Sequence, residues 1–231
     1  MTHHLKRLFV ILLFAFVGLG PILLYFTSGL SYYTYHALSG LMAIKHQIAH
    51  CLLGGEYPLW NPLMLCGAPF HSGIGIFDPF LVSYLFLDGI PALIASSYLA
   101  LVFAGLAMYL YLHKSWKLSI PASIVGGVLY LANPFFGATS HELPFMAPAV
   151  YLPLVFFFYE RAVWCRSIGN ALLSGFFLSL TFLSGNLESF YFIILFFVLI
   201  QVSKILYLCV QTQSLGALER EFGYLALTIL S

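Results

Sequence analysis

The chain alternates long apolar runs with short polar breaks. The first run extends from Leu8 to Phe26, just after Lys6 and Arg7. At a rise of ~1.5 Å per residue it is about 28 Å long, close to the ~30 Å hydrocarbon core of a bilayer. It is too long for the apolar region of a cleaved signal peptide, and no small-x-small cleavage site follows, so it reads as an uncleaved signal-anchor over residues 1–26. Further apolar runs at 92–112, 119–136, 144–160, 168–184 and 189–208 predict five more helical spans. Segment 79–91 is apolar but interrupted by Asp88, Gly89 and Pro91, and predicts an interfacial or re-entrant helix. Residues 209–231 read as a cytoplasmic segment, with Phe222–Leu230 the start of a seventh apolar run.

The pattern predicts an all-α polytopic bundle of about six spans. The stretch between the first two spans, residues 27–91, is much longer than any other connection. Connections of that length are usually functional. It holds a predicted helix at Tyr35–Leu53 with Lys45, His46, Gln47 and His50 on a mixed polar face, expected to lie along the membrane surface. Beyond it comes Gly-Glu-Tyr-Pro-Leu-Trp-Asn-Pro-Leu-Met-Leu-Cys-Gly-Ala-Pro-Phe, residues 55–70, where three prolines and two glycines forbid a continuous helix.

Composition agrees with the pattern. Apolar residues make up 61% of the chain and charged residues 7%, too few to cover a soluble domain of this length. A net charge of +1 and the lack of a basic stripe argue against nucleic-acid binding. Four cysteines are too few for a disulfide framework.

Charge placement orients the spans. Lys6, Arg7, Lys114, Lys117, Arg161, Arg166, Lys204 and Arg220 fall at the N-terminus and in alternate connections, which the positive-inside rule makes cytoplasmic. The opposite face then holds Glu56, Asp78, Asp88, Glu142 and Glu188, with Lys45 its one basic residue.

The runs Gly-Glu-Tyr-Pro-Leu-Trp-Asn-Pro, Cys-Gly-Ala-Pro-Phe and Phe-Asp-Pro-Phe resemble the YfhO-like family of bacterial multi-pass membrane proteins, itself similar to the GT-C glycosyltransferases. Ser31-Tyr32-Tyr33, Ser140-His141 with Tyr151-Leu152-Pro153-Leu154, and Leu183-Ser184-Gly185-Asn186 add weaker matches. The likeness covers the N-terminal part of a longer family. It implies a GT-C-like fold in the bacterial inner membrane, with the N-terminus cytoplasmic. It also implies sugar transfer from a polyprenyl-phosphate donor to an envelope glycopolymer or glycolipid on the outer face. The chain departs from the pattern where Gly29 occupies an expected acidic position, where Asp78-Pro79 replaces Tyr-Pro, and where Gly185-Asn186-Leu187-Glu188 replaces a Gly-His-Pro-Gln-like turn.

Such a transfer needs a carboxylate base and cationic or metal stabilisation of the departing phosphate. The candidate bases are Asp78, Glu142, Glu188 and Glu56, with Asp78 foremost because it opens a helix at the end of the long loop; a helix cap before Pro79 is its plainer reading. Trp60, Asn61, Lys45, His46, His50, His141 and Asn186 are candidate substrate contacts. Aromatics at Tyr57, Trp60, Phe70 and Phe77 suit sugar stacking or a membrane-interface belt. His46 and His50 share a helix face, the spacing of a divalent-metal pair but more simply that of two wet interfacial residues; with Lys45, a lipid phosphate is a further alternative. Asn61 is expected to tie the loop to itself. Cys51 and Cys66 are a candidate disulfide pair in an oxidising compartment. The alternatives from other classes are a non-enzymatic accessory or remnant protein, joined to a membrane partner that supplies missing spans, and a transporter. Transport pathways usually carry ionisable residues at span centres, and this reading finds none there.

Overall fold

The structure is a computed structural model that describes residues 3–27, 42–61, 66–69, 78–139, 142–212 and 215–230. Gly29, the Ser31-Tyr32-Tyr33 segment, Phe70, Phe77 and His141 lie outside them. The helices are α1 (His3–Thr27), α2 (Met42–Leu53), a 3-10 helix η1 (Pro79–Leu85), α3 (Gly89–Lys114), α4 (Ile120–Leu131), α5 (Pro134–Thr139), α6 (Leu143–Cys165), α7 (Ile168–Leu183), α8 (Leu187–Thr212) and α9 (Leu215–Leu230). Strands β1 (Trp60–Asn61) and β2 (Ala68–Pro69) form a short antiparallel ladder.

Among the described residues, three helical segments are long and apolar enough to cross a membrane: Gly89–Lys114, Leu143–Cys165 and Leu187–Lys204. Leu8–Gly20, Ile120–Leu131 and Ile168–Leu183 are shorter apolar stretches. The run expected to form one span over 119–136 is broken. Ser119 caps its start, accepting from the Ala122 amide, and the helix stops at Leu131. Asn133 then accepts from the Phe135 amide and Pro134 begins α5. Twelve helical residues span only about 18 Å, well short of a hydrocarbon core. The 79–91 segment also divides, into η1 and the first turn of α3. The last run is helical from Leu215 and packs on α7, α6 and α8.

Helix α6 is the centre of the bundle. Of its apolar window 72% is buried, against 11% for α8, so α6 is wrapped by protein and α8 lies at the rim. Met146, Val150 and Tyr151 of α6 meet Val10 and Phe14 of α1, Ala100, Leu101 and Ala104 of α3, and Phe80 of η1. Tyr191, Phe192, Phe196 and Leu199 of α8 remain exposed, as do Phe9, Leu12 and Phe16 of α1. Such apolar outer faces fit contact with lipid.

Small residues let helices approach closely. A Cβ added to Gly127 would lie 2.5 Å from Phe14 Cζ and 2.9 Å from the Gly105 carbonyl oxygen, so Phe14 of α1 wedges where α3 and α4 cross. Polar side chains stitch the bundle across helices. Tyr98 donates to the Ala15 carbonyl at 2.9 Å and Ser174 to the Val155 carbonyl at 2.8 Å. Tyr130 donates to the Ala149 carbonyl at 2.7 Å. That carbonyl stands four residues before Pro153, which has no N–H to offer it.

Candidate functional site

The long first connection folds back onto the bundle through α2 and η1. Lys45 of α2 and Asp78 before η1 form an ion pair, Nζ to Oδ2 at 3.1 Å, with 2% and 1% of their side chains exposed. The second oxygen of Asp78 accepts from the Phe80 amide at 3.1 Å, so Asp78 also caps η1, with Pro79 at its first position. Lys45, placed by the sequence on the polar face of a surface helix with lipid phosphate as one possible contact, is instead turned inward. Its neighbours Ile48 and Ala49 pack with Leu81, Tyr84 and Leu93, and this apolar contact carries the lysine with it.

Around the pair lie further buried polar groups. Ser83 donates to the Phe80 carbonyl at 3.1 Å and to the Ala92 carbonyl at 3.0 Å, fixing η1 against α3. Tyr84 is buried, and burial chiefly pushes its phenol above the ordinary range, with neighbouring Ser96 opposing and the charge of Asp78 adding to the rise. Tyr151 of α6 is linked to the pair through Phe80, whose amide Asp78 caps. Its ring stacks on Phe80 at 6.1 Å, and its buried hydroxyl has no hydrogen-bond partner among the described residues. An orphaned buried hydroxyl is costly, and is the kind of feature that marks a site.

A second contact lies at the rim. His46 Nε2 is 3.0 Å from Asp88 Oδ1, and the His46 ring stacks on His50 with centroids 4.7 Å apart and planes within 7°. Parallel stacked rings do not converge on one ion as ligands to a tetrahedral metal do. Among the described residues no group of three or more His, Cys, Asp or Glu side chains is gathered for a metal.

The remaining candidates are dispersed. Glu56 is exposed after α2, Glu142 is half-buried before α6, and Glu188 is exposed in the first turn of α8. Asn186 uses its side-chain oxygen to cap α8, accepting from the Ser189 amide at 2.7 Å. Asn61 is buried and pairs in register with Ala68. Trp60 is 56% exposed, and its indole lies over Gly67, where an added Cβ would come within 2.7 Å of the ring. Gly67 has φ +113°, so both its space and its backbone favour glycine there. Cys51 and Cys66 are free thiols.

Two groups escaped the sequence reading. Tyr151 stood in a resembling segment but had no role assigned, since nothing in spacing links it to Asp78. Glu160 had no role assigned either, yet its carboxylate accepts from Tyr111 at 3.1 Å, from Lys204 at 2.9 Å and from Ser115. The signal available was an acid inside an apolar run, next to Arg161 at the basic end of the spans. No known protein family, characterised protein or solved structure matches the chain.

Proposed function

We propose that the chain is a GT-C-like bacterial inner-membrane protein of about six spans, N-terminus inside, that transfers a sugar from a polyprenyl-phosphate donor on the outer face. The observation that carries this reading is the buried Lys45–Asp78 pair at α2 and η1, joined through Phe80 to Tyr151 with its orphaned hydroxyl. The Trp-Asn-Pro resemblance supplies the chemical class. When α2 lifts, Asp78 is freed to take the proton of an acceptor hydroxyl as that oxygen bonds to the anomeric carbon. The bond from that carbon to the phosphate oxygen breaks, the oxygen keeps the electron pair, and Lys45 meets the phosphate it leaves on. Tyr151 holds a sugar or acceptor hydroxyl.

Transfer from a defined polyprenyl-phosphate sugar by the purified full chain tests this. Asp78→Asn keeps the cap acceptor but removes the base, and is expected to slow transfer by about 10²–10⁴-fold. Unchanged transfer by a folded Asp78→Asn protein overturns the enzyme reading.

A second reading has its own support. Both Asp78 oxygens are already engaged, one by Lys45 and one by the Phe80 amide, as in a purely structural clasp. Under it the chain is an accessory subunit, binds no polyprenyl phosphate, and tolerates the paired change Lys45→Met with Asp78→Asn.

A further inference from the structure

The opposite end of the bundle carries a different feature. There the α3–α4 connection meets the end of α6, with Lys117 Nζ 5.1 Å from the centre of the Trp164 ring. Glu160 joins three helices at this end: it accepts from Tyr111 and Ser115 at the end of α3 and from Lys204 of α8. Its charge is matched by Lys204. Lys114, Lys117, Arg161 and Arg166 are exposed, and among the described residues none of them has an acidic partner. Trp116 and Trp164 stand beside them, 62% and 69% exposed.

Two details bear on how the cations are presented. Arg161 lies over the Phe157 ring at 5.5 Å, which keeps its guanidinium against the helix end. Lys117 and Arg166 adopt left-handed backbone, φ +54° and +51°, in the turns leaving α3 and α6. Arg166 occupies the helix-capping position where glycine is commonest, so a long cationic side chain stands where backbone strain would favour a residue without one.

We infer that this corner binds the headgroup of an anionic phospholipid. It lies where two helices long enough to span a bilayer end, α3 and α6, so its depth is that of the headgroups. Exposed tryptophans prefer that depth, with the ring in the interface and its N–H toward water. Four exposed cations, without acidic partners among the described residues and two of them held over aromatic rings, complement a phosphodiester, and each basic residue near an anionic surface strengthens attraction to it. Glu160 gathers the corner by tying α3 and α8 to α6, and leaves the exposed charges free. The inference needs only a membrane location and is independent of the sugar-transfer reading.

Native mass spectrometry of the full chain tests it, with the protein carrying lipid from equal amounts of phosphatidylglycerol and phosphatidylcholine. The expected result is enrichment of phosphatidylglycerol, reduced about five-fold for each cation removed in Lys117→Ala with Arg166→Ala. Lys117→Arg with Arg166→Lys should retain it. Raising salt on the unaltered protein should weaken the enrichment, and that arm decides if the alanine variant does not fold. Equal retention of both lipids, enrichment that survives the alanine changes, or enrichment indifferent to salt overturns the inference.

Discussion

Lys45 and Asp78 are separated by 33 positions in sequence, yet Nζ and Oδ2 meet at 3.1 Å with both side chains buried. The contact closes α2 over η1 and ties the long first connection to the bundle. A buried ion pair is not in itself strong stabilisation, because its desolvation offsets much of its attraction. Its consequence is asymmetric: removing one partner strands the other charge.

Lys45→Met is therefore expected to cost about 3–5 kcal/mol of stability, and Asp78→Asn, which keeps an acceptor for the Phe80 amide, a similar amount. The double variant should recover most of the loss. Thermal unfolding in detergent across the four proteins measures the coupling. Additive losses would mean that the two charges do not sense each other.

Tyr84 gives a pH dependence with a definite sign. Its phenol, ordinarily at 10.0, is raised in the fold, mainly by burial. The folded chain then holds the proton where the unfolded chain has released it. Stability contributed by this residue is complete below its ordinary value and declines as pH climbs above it. Tyr84→Phe should flatten the alkaline limb of a stability profile and leave the neutral region nearly unchanged. A parallel alkaline limb in the variant would show that Tyr84 ionises as freely folded as unfolded.

The Trp60 indole lies over Gly67, which immediately precedes β2. Gly67→Ala puts a methyl against the indole and forces φ +113° on a residue with a Cβ, so a cost of about 1–3 kcal/mol is expected. Emission from Trp60, with Trp116 and Trp164 changed to Phe, should shift as the ring is displaced. In a Trp60→Ala background the steric part of the cost should vanish and the backbone part remain. An unaltered spectrum would place the indole elsewhere.

The helices were legible because apolar runs are long and local. Residues 92–112 and 144–160 sit inside α3 and α6, and the flanking turns extend each by a few residues. The break at Asn133-Pro134 was in plain view, but the apolar run on either side outweighed it in a hydropathy reading. The site was less legible. Asp78 before Pro79 announces a cap, a matter of adjacent residues, and the cap is present. Its union with Lys45 depends on how α2 docks, which is set by Ile48 and Ala49 packing on Leu81 and Leu93. Amphipathic pattern predicts a surface for that helix and not its rotation, so the lysine was turned outward in the reading and inward in the fold. Glu160 was hidden for a related reason: its three donors come from α3, its C-terminal turn and α8, far apart in sequence.

Pro153 sits inside α6, the most enclosed of the long helices, and leaves the Ala149 carbonyl without its intrahelical donor. Tyr130 of α4 supplies the missing donor from a neighbouring helix at 2.7 Å. In apolar surroundings an unsatisfied carbonyl has no water to turn to, so the tyrosine hydroxyl and the proline are energetically linked. Tyr130→Phe is expected to cost about 1–3 kcal/mol, the penalty of leaving a buried acceptor bare. Pro153→Ala restores an amide in line with that carbonyl, and in this background Tyr130→Phe should cost much less. Unfolding of the two single variants and the double variant yields the coupling directly. If Tyr130→Phe costs the same with proline or alanine at 153, the hydroxyl does not replace the lost amide, and the helix tolerates Pro153 by some other means.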